Sequence, residues 1–119
     1  MELIKFEEYI KNYYQKLVAT IGSFDGIHLG HQELIKMTVD KARELDICSA
    51  VITFDPHPLN VIDNTKHFTI TSLDDKVQLI KKYDIDYLIL INFNDTFSRI
   101  SKIDFIYNYL IKMNVCELI

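Results

Sequence analysis

The sequence predicts an α/β fold in which a parallel sheet carries helices on both faces, and three observations predict it. Short β-rich apolar runs alternate with segments of helical periodicity. All three glycines, Gly22, Gly26 and Gly30, lie in one loop between the first of these runs and a helix. Both prolines lie in a single turn after the second run. Strand, helix, strand order of this kind implies right-handed βαβ units, and therefore parallel strands.

The opening residues place Phe6, Ile10 and Tyr13 or Tyr14 at helical spacing, which predicts a short amphipathic helix or an irregular cover for a sheet edge. Their tyrosines read as packing groups, because basic residues are not interleaved as a single-stranded nucleic-acid groove requires. Val18 to Ile21 is a buried strand. The glycines that follow predict a backbone with positive φ or one that comes very close to a ligand. A helix begins near His31, and Leu34, Ile35, Thr38, Val39, Ala42 and Leu45 form its buried stripe.

Cys48 to Phe54 is the second strand, stopped and stiffened by Asp55-Pro56-His57-Pro58. Asp63, Asn64, Thr65 and Lys66 read as a polar loop, with His67 exposed beyond it. Ser72 with Asp75 is a weakened capping box opening a helix through Val77, Leu79, Ile80 and Tyr83. Tyr87 to Ile91 suits the middle of a covered sheet. Ser101 caps a last helix striped by Ile103, Ile106, Leu110 and Tyr107. Val115 to Ile119 begins a fourth strand without the loop and helix that should follow. The expectation is one domain over residues 1–119, a Rossmann-like sheet that is C-terminally truncated.

Composition narrows the function classes. A net charge of −4 argues against general binding to a nucleic-acid backbone, so any phosphate site must be local. No apolar stretch approaches the roughly 20 residues a membrane helix needs, and the charged N-terminus is no signal peptide. Cys48 and Cys116 lack CxxC spacing and read as buried thiols of a reducing, cytoplasmic compartment, and no structural zinc site is visible.

A helix N-terminus after a buried strand offers unpaired N–H groups and the positive end of a dipole to an anion. His28 and His31 stand there in the spelling H-L-G-H, with Gly30 leaving their shared approach clear. Imidazole N–H groups donate to phosphate oxygens and can gain charge as negative charge develops. Two histidines at a helix start also read as plain surface residues. His57, on the same side of the sheet, reads equally as a ligand contact or a turn histidine. Asn94 or Asp95 could touch a metal or a ribose, although turns favour these residues for backbone reasons alone.

Three stretches, VATIGSFDGIHLGHQELI, VITFDPHP and TSLDDKVQLIKKYDIDYLILINFNDTFSRIS, closely resemble the FMN adenylyltransferase domain of bacterial bifunctional riboflavin kinase/FAD synthetases. HxGH alone would indicate only the wider nucleotidyltransferase superfamily. The resemblance implies transfer of AMP from ATP to FMN, giving FAD and pyrophosphate, with Mg2+. It implies that Gly22, Ser23, Phe24, Asp25, Gly26 and Gly30 line ATP, and that His28 and His31 contact its phosphates as the catalytic pair. Pro56, His57 and Pro58 would lie on the flavin and phosphate side.

Ser23 departs from the asparagine common in that family. The family's later segment closing over ATP, and its riboflavin kinase domain, are absent from these residues. Alternatives are another HxGH transferase, acting on a pantetheine phosphate, a nicotinamide mononucleotide or a CTP-linked alcohol, and a non-catalytic nucleotide-binding or assembly module. The last would use an exposed edge strand near Glu117 for self-association.

Overall fold

The computed structural model describes residues 1–24, 29–55 and 72–119, with Leu29 described through its backbone alone. Among them, β1 (Glu2–Lys5), β2 (Leu17–Ile21), β3 (Cys48–Phe54), β4 (Tyr87–Ile91) and β5 (Val115–Leu118) form one sheet in the order β1-β4-β3-β2-β5. Every pairing is parallel. β2 to β5 lie where the apolar runs predict them.

β1 was not expected as a strand. Glu2–Lys5 buries only Ile4, too weak a pattern to announce itself, and it becomes a strand by pairing Glu2 through Lys5 with Tyr87 through Leu90 of β4. Helix α1 (Phe6–Asn12) follows at once and buries Phe6 and Tyr9. The Tyr9 ring packs on Tyr13 and Tyr87, with centroids 5.2 and 5.4 Å away, and its hydroxyl donates to the Gln15 carbonyl. Tyr9 and Tyr13 are packing groups, as read, whereas Tyr14 is exposed.

Helices cover both faces. Ile4, Leu17, Ala19, Ala50, Ile52, Ile89 and Ile91 pack on one side with Phe6, Tyr9 and Met113. Val51 and Leu88 pack on the other, under Ile35 and Val39 of α2 (Leu29–Leu45) and Ile80 of α3 (Leu73–Ile80). Ser72 caps α3 by accepting from the Asp75 N–H, as its spacing predicts. Of the expected α2 stripe, Ile35, Thr38, Val39 and Ala42 are buried, but Leu45, in the last helical position, is 44% exposed.

The left-handed positions that end helical segments before a strand are Asp46, Asp84 and Asn114, with φ between 56 and 60°. Asp and Asn tolerate this conformation better than other non-glycine residues, so glycine is not needed there. The polar ends of the sheet are also tied. Asp86 accepts from the Ser49 backbone N–H at 2.9 Å, and the Ser49 hydroxyl accepts from the Asp86 N–H at 3.0 Å.

The segment after β4 corrects one expectation. α4 (Asp95–Ser98) is followed by α5 (Lys102–Phe105), which Ser101 does cap through the Asp104 N–H. A π-helical turn then spans Ile106–Leu110, with the Ile111 N–H donating to the Ile106 carbonyl. Ile103, Ile106 and Tyr107 are exposed, and Phe105, Tyr109 and Met113 turn inward instead. Two stripes compete in this stretch. The aromatic one wins because Tyr109 finds Phe6 at 4.5 Å and Phe97 at 5.1 Å, contacts invisible to local periodicity. The cysteines are both free thiols, but Cys48 is half-buried and Cys116 exposed, so neither is the fully buried thiol expected.

Candidate functional site

From β2 the chain crosses to β3 and then β4 on one side, and β5 later lands on the other side of β2. The sheet's direction of winding therefore reverses between β2 and β5. Open α/β sheets bind ligands in the crevice outside the carboxyl ends at such a point. Ile21-Gly22, Phe54-Asp55, Ile91-Asn92 and Leu118 lie at this edge.

The loop leaving β2 is rooted by two hydrogen bonds from or to β3. The Gly22 N–H donates to the Ile52 carbonyl at 3.0 Å, and the buried Thr53 hydroxyl donates to the Ser23 carbonyl at 3.2 Å. Among the described loop residues the left-handed backbone belongs to Phe24, at φ 49°, not to a glycine. The expectation of positive φ thus fails at Gly22 and Gly30. Gly22 serves clearance instead, since a Cβ there would stand 3.1 Å from Phe24 Cε2. The Phe24 ring is buried and lies 5.2 Å from the His31 ring, tilted by 57°.

Helix α2 starts at Leu29 and carries no acidic residue in its first turn, so nothing in that turn neutralises its positive end. Among the described residues, a Cβ at Gly30 would meet nothing within 4 Å. Helix starts of this kind are suited to anions. On the other face of β2, a cleft of about 570 Å³ is walled by Ile21, Phe54, Phe93, Phe97, Phe105 and Leu118. Phe97 meets Phe54, Phe93 and Phe105 at centroid distances of 5.7, 5.4 and 6.0 Å. Tilted and edge-to-face rings of this kind make an apolar wall that can receive a flat ring.

Of the residues singled out from sequence, Gly22, Ser23, Phe24, Gly30 and His31 come together at the carboxyl end of β2. Asp25, Gly26, His28, Pro56, His57, Pro58, the polar residues 63–66 and His67 lie outside the described residues. Asn94 and Asp95 are committed locally: Asn94 Oδ1 accepts from the Phe97 N–H at 2.7 Å, and Asp95 pairs with Arg99 at 2.6 Å. Both thus serve the turn, as their residue types favour. No group of three metal-ligating side chains occurs among the described residues. Sequence reading missed the aromatic wall, although Phe93 and Phe97 stand four apart and could have signalled it.

Sheet order, helix start and cleft together define a Rossmann-like α/β protein, with the candidate site at the switch point of the sheet. The FAD synthetase family profile matches residues 10–119, and the chain belongs to that family.

It is 39% identical over 108 residues to the bifunctional riboflavin kinase/FMN adenylyltransferase of Bacillus subtilis, covering 89% of this chain and 34% of that protein. The protein of the same name from Listeria monocytogenes is 38% identical over 100 residues, 82% of this chain and 32% of its own length. That from Buchnera aphidicola of Schizaphis graminum is 34% identical over 117 residues, 97% and 38%. The chain thus spans about a third of the length of these relatives. A crystal structure described as a macrolide-efflux protein from Streptococcus pneumoniae superposes with a TM-score of 0.82 at 26% identity, over 98% of this chain and 40% of that one. No described helix of this chain is long and apolar enough to cross a membrane.

Proposed function

We propose that this chain binds ATP and FMN and transfers AMP between them, releasing FAD and pyrophosphate. The observation that carries the reading is the pairing of two surfaces at one strand end. A helix start with no acidic residue in its first turn lies on one side of the β2 terminus and an aromatic cleft on the other. The first suits a triphosphate and the second a flavin ring.

In this reaction a phosphate oxygen of FMN attacks the α-phosphorus of ATP. The new P–O bond forms as the bond to the β-phosphate breaks, and the electron pair leaves with pyrophosphate. FMN brings its own nucleophile, so the protein has to align the two phosphates and stabilise the charge gathering on their oxygens. We assign His31 and the N–H groups at the start of α2 to the triphosphate, with His28 beside them on the strength of the motif. Gly22, Ser23, Phe24, Asp25, Gly26 and Gly30 are assigned to the nucleotide, and Pro56, His57 and Pro58 to the flavin and phosphate side. Mg2+ would travel on the triphosphate, where it keeps waters and phosphate oxygens as ligands and needs no protein cage. No residue is assigned to it.

The test is product analysis with ATP or CTP against FMN, pantetheine phosphate and nicotinamide mononucleotide. FAD from ATP and FMN alone supports the assignment, and a different product replaces it. Calorimetric binding of ATP·Mg without turnover would favour a binding module. We place the reaction in the cytoplasm, which the two free thiols support. Among the described residues the outer edge of β5 has no partner strand, which supports self-association there, and sedimentation velocity would detect a dimer.

A further inference from the structure

We propose that Lys102, at the rim of the aromatic cleft, is the specificity-determining residue that selects a phosphorylated flavin over an unphosphorylated one, its ammonium holding the phosphate while the rings hold the flavin. The inference rests on the reading of the cleft as the flavin site. A wall of rings takes riboflavin and FMN alike, because the two share their flat ring system and differ by a phosphate. With a net charge of −4 the protein as a whole repels that anion, so selecting it calls for a local cation.

Among the described residues that line the cleft, Lys102 is the one that carries charge. Ser98 and Ser101 share the lining, and each hydroxyl is engaged locally: that of Ser98 donates to the Asp95 carbonyl at 2.6 Å, and Ser101 Oγ accepts from the Asp104 N–H at 3.1 Å. Arg99, the neighbouring cation, is held by Asp95. Lys102 opens α5 directly after the Ser101 cap, and the Phe105 N–H donates to the Ser101 carbonyl at 3.0 Å, so the lysine backbone is fixed one turn before Phe105. Residues three apart share a helix face. Phe105 is itself placed by stacking on Tyr109, with centroids 5.4 Å apart. The exposed lysine can therefore lay its methylene stem along the apolar wall and present its ammonium at the opening. An ammonium is a compact charge with three donors, so it can hold one phosphate oxygen and leave another free to attack the α-phosphorus.

The test titrates wild type, Lys102→Gln and Lys102→Arg with FMN and with riboflavin, following flavin fluorescence at low and at high salt. Wild type should bind FMN about fivefold more tightly than riboflavin at low salt, and the preference should shrink at about 1 M salt, where screening acts within roughly 3 Å. Lys102→Gln should lose the preference by weakening FMN alone, while Lys102→Arg keeps most of it. A folded Lys102→Gln that retains the wild-type preference would overturn the proposal, as would a wild type that binds both flavins equally. If neither flavin binds wild type, the flavin reading of the cleft falls and the proposal with it. If both bind but no FAD forms from FMN and ATP·Mg, the reaction assignment falls, while the FMN preference still decides the role of Lys102.

Discussion

Two threonines on neighbouring strands offer a paired test of how the site is held. Thr53 is fully buried and its hydroxyl donates to the Ser23 carbonyl, whereas Thr20 is 1% exposed and its Oγ1 has no hydrogen-bond partner among the described residues. Valine keeps the shape of threonine and removes only the hydroxyl.

At Thr53 the change deletes a hydrogen bond and leaves a carbonyl short of a partner, a loss of about 1 to 2 kcal/mol. At Thr20 it removes an unsatisfied buried hydroxyl, whose desolvation costs about 1 to 3 kcal/mol, so the variant should gain stability. For a domain of this size roughly 1 kcal/mol moves the melting temperature by about 5 °C, so the two variants should melt on the order of 10 °C apart, on opposite sides of wild type. Calorimetry and urea unfolding read this directly. Thr53→Val should also weaken ATP binding, because the loop loses one of its roots, while Thr53→Ser restores it. A lower melting temperature for Thr20→Val would show that its hydroxyl has a partner and would refute the reasoning.

Other outcomes follow from the same geometry. His31→Ala, and likewise His28→Ala, should lower adenylyl transfer by about 3 kcal/mol, roughly a hundredfold, with melting unchanged; full turnover in a folded variant would remove the pair from the chemistry. Burial, helped by the nearby Asp86 carboxylate, pushes the Cys48 thiol up, so at pH 8 an aromatic disulfide reagent should label exposed Cys116 first and Cys48 slowly, and the reverse order would contradict the packing. Burial first, then Tyr87, raises the Tyr9 phenol above its ordinary 10. The folded state therefore holds this proton longer than the unfolded one. Its contribution is complete below pH 10 and is lost as pH rises beyond it, by up to about 1.4 kcal/mol per pH unit. Urea midpoints should fall between pH 9 and 11.5, with the Tyr87 and Tyr109 phenols, also raised by burial, adding to the slope, and Tyr9→Phe should make it shallower.

What the sequence determined by itself was whatever depends on neighbours along the chain. The apolar runs at 18–21, 48–54 and 87–91 and the caps at Ser72 and Ser101 each act within a few residues, and each held its predicted place.

Tertiary structure decided the rest. Glu2–Lys5 is a strand only because β4 offers it an edge, and the last helix turns Phe105 and Tyr109 inward only because Phe6 and Phe97 wait there. In the described part of the glycine loop the left-handed position fell to Phe24, whose buried ring passes 3.1 Å from where a Cβ of Gly22 would stand. Those constraints come from residues far apart in sequence, and periodicity carries no record of them.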